Sequence, residues 1–296
     1  MPTNSVNDGD AKVNRYSRLS ASQANMWSAC PRMWYYSKVE RLVSDRPPIL
    51  FMGTAVENTI CRILKESPAL ITSNAGINVM RSPLDLEGRP DHGDIANWPG
   101  LKLIPLESNQ IPTNVAELRL WAIDRATLHF EKCWDIARIE WRTDDNKSGD
   151  FEELDKEYSL QMIRNFIDMH LEEVDKCLEK YKECDLEKWR RGEHEICNYS
   201  PNGFSNRGGD VSQVANGLGE NMSVCEAWEI VRPWFVDPSA KKFTQTSTIP
   251  EHWYQGEYDL VYRWFDRIHI VDIKASKGNN HRSEDYIQQL RYYAWM

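Results

Sequence analysis

Residues 256–261 are Gly-Glu-Tyr-Asp-Leu-Val, and residues 270–274 are Ile-Val-Asp-Ile-Lys. In and around both stretches, β-branched and aromatic residues alternate with polar ones, which is typical of β-strands. The short turn Asp266-Arg267 separates them. We therefore predict a β-hairpin whose two strands span Trp253–Trp264 and Arg267–Ile273.

Three charged side chains on this hairpin form a candidate catalytic site. Asp259 lies within the first strand, and Asp272 and Lys274 are two residues apart on the second, so these two share a face. Two carboxylates in one cleft repel each other unless a cation lies between them, and oxygen ligands suit Mg²⁺ or Mn²⁺. Such a metal can lower the pKa of a coordinated water and polarise a phosphodiester oxygen. The lysine can position the attacking water or stabilise the charge that develops on the phosphate, so the expected reaction is phosphodiester hydrolysis. A cross-strand Asp–Lys salt bridge is the alternative explanation.

Hydrophobic periodicity predicts helices on either side of this hairpin. The first helix is expected to begin near Gln23. Four further helices are expected at Phe51–Lys65, at Glu117–Trp134, at Asp150–Tyr181 and from about Ser283 to the end. Ser20 or Ser22 is expected to cap the first helix. The second is expected to bury Val56, Ile60, Ile63 and Leu64.

The remaining segments are predicted to be less regular, apart from one strand. Ser223–Val231 is rich in β-branched and aromatic residues, which predicts a third strand. Residues 191–221 are rich in Gly, Asn and Ser, which indicates a long loop or hairpin insertion. Loops and short strands are expected in residues 67–110, and disorder in residues 1–16.

Composition excludes some classes of protein. No apolar run reaches the roughly 18 residues that a membrane span requires, and the polar N-terminus lacks the apolar core of a secretory signal. The seven cysteines are scattered without a Cys-x-x-Cys pair, which favours a reducing cytoplasm over a disulfide framework. The net charge of -9 argues mildly against nucleic-acid binding, although a metal site itself needs carboxylates.

Five short motifs occur in a recognisable order along the chain. They are Cys30-Pro31-Arg32-Met33-Trp34-Tyr35-Tyr36, Gly53-Thr54-Ala55-Val56-Glu57, Gly256-Glu257-Tyr258-Asp259, Asp272-Ile273-Lys274 and Gln289-Leu290-Arg291-Tyr292-Tyr293-Ala294. In this order the chain resembles the RecB-like nucleases of the PD-(D/E)XK superfamily, including the CRISPR-adaptation exonucleases. The resemblance covers about residues 18–66 and 223–296.

The resemblance implies an α/β fold: a restriction-endonuclease-like PD-(D/E)XK core, with a mixed central sheet flanked by helices, and a helical insertion. It divides the chain into a disordered tail (1–17), an N-terminal part of the nuclease core (18–66), a mostly helical insertion with loops (67–222), and the catalytic sheet with the final helix (223–296). Because that core continues to a further strand, we expect this chain to be a fragment or a truncated member.

The resemblance also implies roles for individual residues. Asp259 and Asp272 correspond to metal ligands and Lys274 to the catalytic lysine. Gln289 and Tyr293 lie four residues apart on one helix face and correspond to residues that complete the active site or contact DNA, although Tyr293 is equally consistent with core packing.

Position 57 departs from the family pattern, because glutamate stands where histidine is expected. Glu57 is a candidate third metal ligand that would favour hard ions. The alternative is a solvated glutamate on a helix surface.

Candidate DNA contacts flank these motifs. We expect Arg32, Tyr36, Arg282 and Arg291 to bind DNA, with Lys38, Arg41 and Lys277 as further phosphate contacts. The aromatic side chains Trp27, Trp34, Tyr35 and Tyr36 suit stacking on bases of single-stranded DNA. Core packing is the alternative for these aromatics.

Several relatives hold an iron–sulfur cluster through one N-terminal cysteine and three cysteines after the last helix. Only Cys30 matches this set, so no cluster is expected in this chain. The alternative for Cys30 is a small buried residue beside the aromatic side chains.

The resemblance therefore implies a Mg²⁺- or Mn²⁺-dependent DNA nuclease. Among nucleases, it favours an exonuclease that acts on free ends or single strands. Its expected setting is DNA repair, recombination or CRISPR-type processing in the cytoplasm, with a helicase, recombination or CRISPR partner and no membrane. The main rival is a catalytically inactive DNA-binding or scaffold protein of the same fold. An unrelated helical interaction protein with a chance Asp-x-Lys is a third alternative.

Overall fold

A computed structural model describes ten ranges of the chain. These are residues 19–42, 44–65, 71–72, 78–79, 111–180, 220–231, 245–249, 254–264, 267–275 and 283–295. The chain forms two compact units, each assembled from separate segments. The first unit comprises Met1–Leu42, Thr246–Glu257 and Asn280–Met296, and the second comprises Val43–Gln245 and Tyr258–Asn279. The domain boundaries expected after residues 17, 66 and 222 remain predictions.

The core of the second unit is built from helices. They are α3 (Pro48–Lys65), α4 (Val115–Thr143), α5 (Lys156–Lys180) and α6 (Val224–Val231). The predicted buried stripe of α3 is confirmed, because Val56, Ile60, Ile63 and Leu64 are all buried. Proline is favourable at the first position of α3, because a backbone N–H at a helix start would have no intrahelical acceptor.

The long helix α4 begins at a side-chain cap formed by Asn114 and Glu117. Asn114 accepts a hydrogen bond from the Glu117 N–H at 3.0 Å, and the Glu117 carboxylate accepts one from the Thr113 N–H at 2.8 Å. These bonds satisfy N–H groups that would otherwise lack partners at the helix start. The helix extends nine residues past the predicted end at Trp134, to Thr143.

The segment predicted as one helix from Asp150 to Tyr181 is interrupted. A single 3₁₀ turn spans Phe151–Glu153, and α5 then begins at Lys156. Asp155 accepts a hydrogen bond from the Tyr158 N–H at 2.9 Å, which caps the new helix start. The turn inserts the buried Phe151 against the Trp134 ring, with 5.1 Å between ring centroids.

The strand predicted at Ser223–Val231 is wrong, because this segment forms helix α6. Ser223 Oγ accepts a hydrogen bond from the Glu226 N–H at 3.2 Å, and Glu226 Oε2 accepts one from the Ser223 N–H at 2.8 Å. This reciprocal pair is a capping box, which starts a helix. Trp228 and Val231 are buried on the inner face of α6.

The strands of the second unit are short. They are β2 (Ile71–Thr72), β3 (Asn78–Val79), β6 (Leu260–Trp264) and β7 (Arg267–Val271). β2 pairs with β3, and β6 pairs antiparallel with β7. The predicted hairpin pairing is therefore confirmed, but the extent of its strands is wrong. The first strand is divided at Asp259 into separate strands at 254–258 and 260–264, and β7 ends at Val271, before Asp272. The residues of the turn, 265–266, lie outside the described ranges.

The first unit combines short helices with a small sheet. It contains β1 (Leu19–Ser20), α1 (Ala21–Ala29), α2 (Pro31–Trp34), a π-helical turn (Tyr35–Val39) and α7 (Ser283–Trp295). β4 (Gln245–Ile249) and β5 (Tyr254–Tyr258) complete it, in the strand order β1-β5-β4. The predicted cap of α1 is confirmed, since Ser20 Oγ accepts a hydrogen bond from the Gln23 N–H at 3.3 Å.

The expected α/β core with a mixed central sheet is wrong for the described residues. They are mostly helical, and their strands are two to five residues long and pair in separate small groups without a central sheet. The physical reason lies in where the apolar side chains are buried. The large hydrophobic core consists mainly of residues from α3, α4, α5 and α6, which bury them against one another.

Some expectations fall outside the described residues. They are the disordered tail, residues 191–219 of the expected loop, and nearly all of the loops and short strands expected in residues 67–110. Within the described ranges, no helix combines the length and the apolar character required to cross a bilayer.

We expect Ser223→Ala to lower the free energy of unfolding by about 1 kcal/mol, because it removes the side-chain cap of α6. Urea denaturation of the full-length protein measures the effect. Ser223→Thr retains a hydroxyl that can cap the helix and is the matched control. Equal stability of Ser223→Ala and the unmodified protein would show that the cap contributes little.

Candidate functional site

The hairpin of β6 and β7 brings the two predicted aspartates together. Leu260 pairs with Val271 at the open end of the hairpin. Extending this register by one residue places Asp259 opposite Asp272. The two carboxylates thus come from adjacent positions just beyond the paired strands.

A backbone hydrogen bond fixes Asp259 at this end of the hairpin. The Ile273 N–H donates to Asp259 Oδ2 at 2.7 Å. The bond ties the first strand to the segment that follows β7, beyond the last strand pair. It therefore holds Asp259 beside the chain segment that carries Asp272 and Lys274.

Helix α3 contributes Glu57 to the same region. A Cβ placed on Gly53 would lie 3.9 Å from Ala275 Cβ, so α3 runs close to the segment after β7. Glu57 follows Gly53 by four residues, which puts both on one side of the helix. Electrostatic coupling between Glu57 and Asp259 agrees with this placement.

The pKa of Asp259 is raised from its ordinary value of 3.8 to about 6. Burial is the largest cause, and repulsion from Glu57 is the second. The hydrogen bond from Ile273 opposes the rise, Asp272 adds to it, and Lys274 lowers it. Glu57, Asp272 and Lys274 therefore all act electrostatically on Asp259.

Lys274 forms an ion pair with Asp272. The Nζ–Oδ2 distance is 2.6 Å, and the side chain of Lys274 is 36% exposed whereas that of Asp272 is 6% exposed. The lysine therefore presents a positive charge at the surface while the aspartate lies below it. A lysine ammonium that reaches the surface is accessible to ligands from solution.

The donor chemistry of this cluster matches a hard divalent cation. Asp259, Asp272 and Glu57 supply carboxylate oxygens, the ligands that Mg²⁺ and Mn²⁺ prefer. A cation among them would also relieve the repulsion that raises the pKa of Asp259. Within the described ranges, however, no three His, Cys, Asp or Glu side chains lie together closely enough to form a ready metal-binding group.

Other predicted site residues belong to the first unit. Gln289 Nε2 donates to the Tyr293 hydroxyl at 2.6 Å, and Tyr293 is buried. Arg32, Tyr36 and Arg291 are exposed in this unit. The remaining candidate, Arg282, lies outside the described residues, as does Lys277.

The structure adds two elements that sequence reasoning missed. One is the Ile273 N–H, a backbone donor that no side-chain pattern reveals. The other is the close approach between Gly53 and Ala275, which joins segments far apart in the sequence. Comparison of the chain with protein-family models, curated proteins and solved structures gives no match.

We expect Asp259→Asn to raise the free energy of unfolding in EDTA at pH 8 by up to about 3 kcal/mol. The folded-state pKa near 6 exceeds the ordinary value of 3.8, so the folded protein binds the extra proton more tightly than the unfolded chain. Ionisation of Asp259 therefore costs stability as pH rises through about 4 to 6, and asparagine avoids this cost.

Urea denaturation at pH 4 and at pH 8 checks this prediction. The stabilisation by Asp259→Asn should be small at pH 4 and nearly complete at pH 8. A gain of the same size at both pH values would mean that the carboxylate charge is not its cause.

Proposed function

We propose that this protein is a Mg²⁺- or Mn²⁺-dependent deoxyribonuclease that hydrolyses phosphodiester bonds. The observation that carries the proposal is the electrostatic clustering of Glu57, Asp259, Asp272 and Lys274 at one end of the β6–β7 hairpin. Support also comes from the five motifs that resemble RecB-like nucleases. That resemblance is the basis for preferring an exonuclease that acts on free ends or single strands.

The chain's own residues have distinct roles in this proposal. Lys274 binds the scissile phosphate and stabilises the negative charge that develops on it. Asp272 positions the lysine through their ion pair. Ile273 orients Asp259 by donating its backbone N–H to Oδ2 at 2.7 Å.

Asp259, Asp272 and Glu57 would hold the metal. When bound, Mg²⁺ or Mn²⁺ lowers the pKa of a coordinated water and polarises a phosphodiester oxygen. Asp259 is sensitive to pH, because its pKa of about 6 leaves it partly protonated in mildly acidic solution. The carboxylate set therefore favours metal binding above pH 6.

We also infer that the protein acts in the cytoplasm, in repair, recombination or CRISPR-type processing, with a helicase or similar DNA-processing partner. The cysteines in the described ranges form no disulfide bonds; they are Cys30, Cys61, Cys133, Cys177 and Cys225. Cysteines outside disulfides are typical of reducing compartments.

A non-catalytic DNA-binding protein is the second candidate. It is favoured by the lack of a ready three-ligand metal group among the described residues. In that case the Asp272–Lys274 ion pair would serve only to stabilise the end of the hairpin. Cleavage experiments separate the two candidates.

We expect the unmodified protein to cleave labelled DNA with Mg²⁺ or Mn²⁺ but not with EDTA. Lys274→Ala should lower kcat by about 10²- to 10³-fold, because one donor to the developing charge is lost. Lys176→Ala is the matched control, since Lys176 also pairs with a carboxylate, that of Glu173 at 2.8 Å. Single- and double-stranded substrates should be assayed in parallel.

A folded protein that binds DNA but cuts neither substrate with any divalent metal would support the non-catalytic candidate. Equal loss of activity in Lys274→Ala and Lys176→Ala would instead indicate a general effect of removing surface charge. Circular dichroism of each variant establishes that the helices are retained.

We expect Glu57→His to shift the metal preference from Mg²⁺ towards Mn²⁺, because imidazole replaces a hard oxygen ligand with a nitrogen ligand. The measurement is the ratio of cleavage rates in the two metals, compared with that of the unmodified protein. A ratio that stays constant would show that Glu57 does not contact the metal.

A further inference from the structure

The first unit carries an exposed aromatic segment between Trp27 and Leu42. Trp27 is 50% exposed, and Tyr35 and Tyr36 are each 44% exposed. Aromatic side chains of this size are usually buried, and a cluster of exposed ones commonly marks a binding surface. Core packing therefore does not account for these three residues.

The aromatic rings of this segment are held in fixed pairs. Trp27 and Trp34 contact edge to face with 5.1 Å between centroids, and Tyr35 and Tyr36 do so at 5.7 Å. The Trp34 indole N–H donates to Gln23 Oε1 at 3.3 Å, which restrains that pair. Rings ordered in this way lose little conformational entropy when a ligand stacks on them.

The backbone of the segment is irregular where the tyrosines begin. Residues Tyr35–Val39 form a π-helical turn, a form found frequently at functional sites. Arg41 then adopts a φ of 55°, and the Leu42 N–H donates to Tyr36 O at 2.9 Å. A non-glycine residue in this left-handed conformation costs about 1 kcal/mol, so arginine here is not explained by backbone preference.

The segment is positively charged in a chain of net charge -9. Arg32, Lys38 and Arg41 are all exposed, and Glu40 is the only acidic residue between Trp27 and Leu42. Three cations interleaved with exposed rings match the two chemical features of single-stranded DNA, a phosphate backbone and accessible base faces.

We propose that the segment Trp27–Leu42 is a binding surface for single-stranded DNA. Bases stack on the exposed rings of Trp27 and Tyr36, and Arg32, Lys38 and Arg41 contact phosphates. Duplex DNA binds less tightly, because its base faces are already stacked inside the helix. The choice of DNA as ligand rests on the proposed nuclease function, but binding here does not require cleavage.

Fluorescence anisotropy with labelled oligothymidylate and a duplex of equal length tests this proposal. The full-length protein carries Lys274→Ala and EDTA is present, so that binding is measured without cleavage. Adding Tyr36→Ala should weaken single-strand binding by about 5- to 150-fold, the effect of losing one base-stacking contact. Tyr36→Phe retains the ring and should bind like its parent.

Two further variants separate charge and folding from stacking. Arg41→Gly relieves the left-handed conformation, so it should retain the fold and weaken binding while reducing its salt dependence. Met169→Ala shortens a side chain of α5 that is 60% exposed and lies in the other unit, and it should leave binding unchanged.

Several outcomes would overturn the proposal. The parent protein could fail to bind oligothymidylate, or bind the duplex more tightly than the single strand. Single-strand binding could be unchanged in Tyr36→Ala, or weakened as much in Tyr36→Phe as in Tyr36→Ala. Single-strand binding by a protein that cuts no DNA would uphold this surface while the nuclease proposal fails. Metal-dependent cleavage together with unchanged binding and cleavage in Tyr36→Ala would uphold the nuclease proposal while this surface proposal fails.

Discussion

The close approach of helix α3 to the segment after β7 is the constraint on which the candidate site depends. Gly53 lies against Ala275 with only ordinary van der Waals separation left for a Cβ. Glu57, one helical turn after Gly53, acts electrostatically on Asp259 and raises its pKa. The helices packed behind α3 keep it in this place, since its inner side chains are almost fully buried in the core.

This arrangement costs the folded protein free energy. A pKa of about 6 for Asp259 means that its ionised form is disfavoured by up to about 3 kcal/mol at neutral pH. Domains are typically stable by only about 5 to 15 kcal/mol, so this is a large cost for one side chain. Groups with strongly shifted pKa values in such clusters are candidates for function, and a bound cation would remove much of the cost.

Local patterns explain which parts of the fold were predictable from the sequence. The apolar stripe of α3 and the serine before α1 are short-range signals, and the structure agrees with both. The antiparallel pairing of β6 with β7, which brings Asp259 near Asp272, was predicted from two patterned stretches on either side of a short turn. Each of these features is specified by neighbours in the sequence.

The errors arose where longer-range packing decides the structure. The β-branched and aromatic residues of 223–231 favour a strand, but the capping box of Ser223 and Glu226 and burial of Trp228 produce a helix. The central sheet was expected from the family resemblance, whereas the described chain buries its apolar surface between helices. The contact between Gly53 and Ala275 joins segments far apart in sequence, so no local pattern specifies it.

The energetics of the Asp272–Lys274 pair also bear on whether the cluster serves stability or chemistry. Exposed ion pairs contribute about 0 to 1 kcal/mol, and withdrawing a carboxylate from water costs more than that unless it is well compensated. The side chain of Asp272 is only 6% exposed, and Asp272 and Glu57 both raise the pKa of Asp259 at this hairpin end. One exposed ion pair would stabilise the hairpin end without gathering further carboxylates around it, so the concentration of negative charge is the feature that the proposed metal site is built on.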